Sequence, residues 1–158
     1  VDETALKQLF HGGFNRLSLG LQASQNRLLQ LLGRIHTWEE FLRTFEAARC
    51  SGFENIGIDL IFGLPNQSVL EWRETLEQVS ALQPEHISAY GLQVEEGTQF
   101  SRDLAAGKLV LPTEDEAVAM MKLAMDPEMS VGMAFNKIRT FPVMDHQQTL
   151  AIVTQSTG

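Results

Sequence analysis

The chain has 158 residues, 44% of them hydrophobic, with 12 Lys and Arg against 20 Asp and Glu, for a formal net charge of -8. That length suits one core and one principal domain, while the acidic balance, without clustered Lys or Arg, argues against nucleic acid as a partner. No run approaches the roughly 18–20 apolar residues of a bilayer span, the opening residues lack a basic region followed by an apolar one, and the single cysteine, Cys50, excludes an intramolecular disulfide and a metal site built of several thiolates. A cytoplasmic protein is expected, and Val1 in place of Met suggests a processed product or a piece of a longer chain.

The first predicted strand is NRLSLGLQ, residues 15–22, closed by Gln22. A leucine-rich helical segment follows at 27–32, and Arg34 comes next, in LLGRIH. Thr37 with Glu40 forms a capping box. It predicts a helix over 37–51 with Phe41, Phe45 and Ala48 on one face, Trp38, Leu42, Phe45 and Arg49 on its neighbour, and Gly52 as terminator. NIGIDLIF, residues 55–62, reads as a buried parallel strand closed by Gly63 and Pro65, yet it contains Asp59. Ser68 with Glu71 repeats the capping signature before a stripe of Val69, Trp72, Leu76 and Val79, and Pro84 forbids continuation. HISAYGLQV, residues 86–94, is the third strand, and Thr113 with Glu116 opens a further helix, EDEAVAMMKLAM. Strands alternating with helices at about 30-residue spacing indicate βαβ units, hence an α/β fold with a parallel sheet. Periodicity weakens after Met125, so residues 1–125 read as the domain and 126–158 as a tail without assignment apart from a candidate strand at 149–154.

In parallel α/β architectures, ligands gather at the carboxyl ends of strands. Gln22 closes the first strand, Asp59 lies late in the second, Gln93 with Glu95 and Glu96 ends the third, and Arg34 follows its helical segment toward the same rim. An unpaired charge in a buried strand costs several kcal/mol, so Asp59 requires a partner. Two readings stand. One is an ion pair with Arg34 or hydrogen bonds to loop amides. The other is a ligand, with two carboxylate oxygens for vicinal hydroxyls, the planar fork of Arg34 for a carboxylate, and Gln22 as both donor and acceptor. A nucleoside bearing an amino acid would use all three groups. His11, His36, His86 and His146 have no metal-ligand spacing and read as capping or surface residues, whereas Met120, Met121, Met125, Trp38 and Trp72 read as packing. No nucleophile elbow, Walker loop or Rossmann glycine pattern is present.

The runs GFNRLSLGLQASQNRLLQLLGRIHTWEEF, GFENIGIDLIFGLPNQSVLEWRETL and PEHISAYGLQVEEGTQF, in that order, resemble the HemW family of radical S-adenosylmethionine proteins, relatives of oxygen-independent coproporphyrinogen III oxidase. The resemblance covers about residues 1–124. It implies the carboxyl-terminal part of an incomplete (β/α) TIM-like barrel, with S-adenosylmethionine across the strand ends. The family's cofactor positions fall on Gln22, on Arg34 twelve residues later, and on Asp59 twenty-five beyond that. Gln93 falls on a further pocket position, where contact would run through its backbone. The family's cluster motif, C-x-x-x-C-x-x-C, is absent, so the resemblance implies an iron-sulfur cluster only in a complete protein, and this chain alone is not expected to perform radical chemistry. The implied function is heme delivery to an acceptor protein. The alternatives are a coproporphyrinogen oxidase decarboxylating propionate side chains, and a noncatalytic α/β piece that pairs its open sheet edge with a second copy.

Overall fold

The structure, a computed structural model, describes residues 2–129 and the backbone of three short strands beyond them. It opens on α1 (Glu3–His11), which lies outside the predicted elements. Asp2 caps it, its carboxylate accepting from the Ala5 amide at 2.7 Å. There follow β1 (Arg16–Gln22), α2 (Asn26–Leu31), α3 (Trp38–Cys50), β2 (Asn55–Phe62), α4 (Val69–Ala81), β3 (His86–Gln93), α5 (Gln99–Ala105) and α6 (Glu114–Met125). The short strands are β4 (Ala134–Phe135), β5 (Phe141–Pro142) and β6 (Ala151–Thr154). All three capping boxes form, at Thr37 with Glu40, Ser68 with Glu71, and Thr113 with Glu116.

β1, β2 and β3 run parallel and adjacent, with β2 in the centre, as the strand–helix alternation requires. β4 and β5 pair in parallel with β3. β6 lies antiparallel on the other edge of β1, from Arg16 opposite Thr154 to Leu19 opposite Ala151. The candidate strand at 149–154 is therefore present as 151–154, with 149 and 150 outside the described residues. β6 thereby covers the β1 edge of the sheet from Arg16 to Leu19.

Side chains alternate across each strand. Ile56, Ile58, Leu60 and Phe62 of β2, with Leu17, Leu19 and Leu21 of β1, enter one buried core with Phe41 and Phe45 of α3 and Trp72 and Leu76 of α4. Trp72 is fully buried, packs at 5.4 Å between ring centroids against Phe62, and donates Nε1–H to the Met120 carbonyl at 2.8 Å. That bond joins α4 to α6. Met120 is buried, but Met121 and Met125 are exposed, so the expected methionine packing reduces to one residue because α6 turns a single face to α4.

At the amino ends of the strands, Arg49 of α3 binds both carboxylate oxygens of Glu85, at 2.9 and 3.0 Å, and also donates to the Phe53 and Gln83 carbonyls. Glu85 in turn accepts from the Ile56 amide at 2.7 Å. One bidentate pair thus ties the end of α3 to the starts of β2 and β3.

Candidate functional site

The strand residues between the core positions face away from the helices. Register aligns Ser18, Gly57 and His86 in one row and Gly20, Asp59 and Ser88 in the next, with Arg16 below them at the start of β1. Asp59 Oδ2 accepts from Ser18 Oγ at 3.4 Å, and the Ser88 hydroxyl donates to the same carboxylate. Burial pushes the Asp59 carboxyl above the usual carboxylate range; the two hydroxyls and the charge of Arg16 offset this only in part. Among the described residues no ion pair joins Asp59 to Arg34 and no loop amide reaches it, so there the first of the two sequence readings is corrected: its donors are hydroxyls of the flanking strands. The register partner of Asp59 on β1 is Gly20, which has no side chain to cover the carboxylate at that level.

Between Gly20 and Gln22 the register of β1 against β2 slips, leaving Leu21 without a partner and setting Gln22 opposite Leu60, one residue beyond Asp59. Gln22 has φ of 75°, a left-handed conformation that costs a non-glycine residue on the order of 1 kcal/mol or more. Its side-chain amide has no bonding partner among the described residues. The turn after it is anchored to α4: Ser24 Oγ lies 2.9 Å from Thr75 Oγ1, which donates to Gln25 Oε1, while Gln25 Nε2 donates to the Glu71 carbonyl.

Arg34 follows α2 directly. Gly33, with φ of 70°, supplies the left-handed residue that ends the helix, and the Arg34 amide closes the cap on the Leu29 carbonyl at 2.9 Å. The guanidinium is half-buried and has no ion pair or hydrogen bond among the described residues; burial lowers its pKa, but a guanidinium remains charged. His36, expected at the surface, is instead 7% exposed, with Nε2 3.3 Å from the Leu21 carbonyl. Burial holds this imidazole below its usual pKa. Of the other histidines, His11 bonds the Lys7 carbonyl near the end of α1, His86 is half-buried beside Arg16, and His146 lies outside the described residues. Gln93 is exposed at the end of β3.

The chain thus sets Gln22 and Asp59 on adjacent strands and hangs the Arg34 loop from the residue before Gln22, while Gln93 ends β3, which β2 separates from β1. Sequence reasoning missed Ser18, Ser88 and His36. The two serines carry a legible signal, since they fall at alternate positions of strands whose intervening residues are apolar.

Residues 1–79 match the radical SAM superfamily. The heme chaperone HemW of Bacillus subtilis is 37% identical over 136 residues, covering 86% of this chain and 36% of that protein. HemW of Lactococcus lactis is 36% identical over 80% of this chain and 33% of its own length. Among solved structures, the coproporphyrinogen III oxidase HemN of Escherichia coli superposes with a TM-score of 0.66 at 27% identity, over 82% of this chain and 30% of that one. The archaeal Elp3 of Methanocaldococcus infernus gives 0.70 at 23% identity over 87% and 33%, a likeness of fold alone. The chain belongs to the radical SAM superfamily, and its parallel strands with their helices form part of the barrel seen in these structures. Within that superfamily it is a HemW-like member, spanning about a third of the length of the curated relatives it matches.

The family uses S-adenosylmethionine and an iron-sulfur cluster. The residues present fit the first in chemistry: among the described residues, a half-buried carboxylate with hydroxyl donors, a guanidinium without a partner and a side-chain amide without a partner are groups that a nucleoside carrying an amino acid can engage. They do not fit the cluster. Cys50 is exposed at the end of α3, and no three His, Cys, Asp or Glu among the described residues are placed to hold a metal ion. No described helix is long and apolar enough to cross a membrane.

Proposed function

We propose that this chain supplies the nucleoside-holding side of an S-adenosylmethionine site in a longer, cytoplasmic, HemW-like protein that delivers heme to an acceptor protein. In this reading Asp59 accepts hydrogen bonds from the ribose hydroxyls, Arg34 forks onto the carboxylate of the amino acid moiety, and Gln22 bonds the same ligand from the end of β1, with Gln93 contributing through its backbone. Bound S-adenosylmethionine would contribute an electrophilic sulfonium; holding and orienting it falls to these residues. The thiolates for a cluster would come from the rest of the longer protein. The observation that carries the proposal is Asp59: a carboxylate kept in an otherwise apolar strand against the cost of burial, beside a glycine of the neighbouring strand and bonded by two hydroxyls.

The test is calorimetric titration of the chain with S-adenosylmethionine. Asp59→Ala is expected to weaken binding by roughly tenfold or more, the worth of hydrogen bonds to a charged group. Unchanged affinity would remove Asp59 from the site. The second reading, a coproporphyrinogen oxidase, is supported by the likeness to HemN. Anaerobic turnover of the complete protein separates the two, because a heme carrier binds heme without consuming the porphyrinogen.

A further inference from the structure

The segment between α2 and α3 alternates in exposure. Arg34 is half-buried, Ile35 is 69% exposed, and His36 is buried. Arg34 and His36 therefore turn inward together. On the upstream side, the backbone of Arg34 is anchored by the left-handed cap at Gly33 and the bond to Leu29. On the downstream side, the nearest anchor is the His36 ring on the Leu21 carbonyl. The Trp38 amide, donating to Asn26 Oδ1 at 2.8 Å, secures only the start of α3. Because the acceptor is a carbonyl, Nε2 must carry the proton. The bulge supplies that acceptor: Leu21 has no register partner on β2, and the residue after it is Gln22.

We propose that His36 is a positioning residue for the cofactor site, its Nε2–H on the Leu21 carbonyl locking the Arg34 loop to the bulge at Gln22 so that guanidinium and amide are held in one fixed arrangement. The inference rests on the S-adenosylmethionine reading above. A single bond then sets the geometry of two ligand-contacting groups that are twelve residues apart in sequence.

The experiment is a double-mutant cycle read by titration with S-adenosylmethionine. His36→Leu is expected to weaken binding about tenfold, since a displaced guanidinium loses a charge-assisted contact. His36→Gln, which places an N–H near the position of Nε2, is expected to restore most of it. In an Arg34→Gln background, His36→Leu is expected to cost little more. Equal losses in both backgrounds, or no rescue by His36→Gln, would overturn the positioning role while leaving the cofactor reading intact. Failure of the unmodified chain to bind would overturn both. Hydrogen exchange of the ligand-free chain provides an arm independent of binding: amides of residues 34–37 should exchange faster in His36→Leu while those of α4 keep their protection. Unchanged exchange there would also refute the lock.

Discussion

Replacing Asp59 by Asn separates what this residue does for folding from what it does for a ligand. Asn has nearly the same shape and can accept from Ser18 while donating to the Ser88 hydroxyl, so both neighbours keep a partner. The burial cost of a negative charge disappears. Because the folded-state pKa of Asp59 is raised, the folded chain binds the proton more readily than the unfolded one, and the stability this represents is present below the usual 3.8 and lost as pH rises through the folded value. Above that value the full penalty applies. Each tenfold displacement in proton affinity corresponds to about 1.4 kcal/mol. Asp59→Asn is therefore expected to stabilise the ligand-free chain near neutral pH, and each kcal/mol gained would raise Tm by about 2–4 °C for a chain of this size. Urea unfolding at a series of pH values measures it, and the advantage should shrink toward zero as pH approaches the usual carboxylate value. The same substitution should weaken S-adenosylmethionine binding, a gain in stability against a loss in function. A variant no more stable than the parent at neutral pH, or an advantage independent of pH, would refute the argument that burial governs this carboxylate.

Trp72→Ala removes a fully buried indole, its packing on Phe62 and its bond to Met120; a loss of about 3–5 kcal/mol is expected in denaturant midpoint analysis. Ser68→Ala breaks a complete capping box and should cost about 1 kcal/mol by the same measurement, with little effect on ligand affinity. For His36, whose pKa is depressed by burial, the unfolded chain takes up a proton that the folded chain resists. Stability should therefore fall as pH drops below about 6.5 and level off below the folded value, with Arg34 opposing protonation and Glu40 favouring it. His36→Gln should flatten that part of the pH profile, as followed by thermal unfolding.

The fold was legible where local chemistry and burial agree. Thr37, Ser68 and Thr113 each announce a helix start that the backbone then uses, and the apolar content of 55–62 marks the central strand to its last residue. α5 escaped because it buries no residue, so burial marks no face of it; α1 escaped although Leu6, Leu9 and Phe10 stand at helical spacing, because nine residues carry that pattern for little more than two turns and Leu6 is the one fully buried residue among them. Asp59, Gln22 and Arg34 were legible as candidates from the positions of strand ends. What holds them was not. The bonds of Asp59 depend on which residues of β1 and β3 stand in its row and the row before it, and the acceptor of His36 lies at a bulge that exists only once β1 is laid against β2. Register is a tertiary property, and one slipped residue exchanges the two faces of a strand.

The ionic clasp of Arg49 and Glu85 has a consequence for how the molecule tolerates change. It secures the rim of the sheet remote from Gln22 and the Arg34 loop, with donors and acceptors that are all internal to the chain. At the opposite rim the side chains of Gln22 and Arg34 have no bonding partner among the described residues. With the proposed binding role at that rim, anchorage and recognition fall at opposite poles of the same three strands, so substitutions made at one pole should combine with those at the other by simple addition of their free energies. That division would let the recognition pole diverge toward new ligands while the clasp preserves the scaffold beneath it.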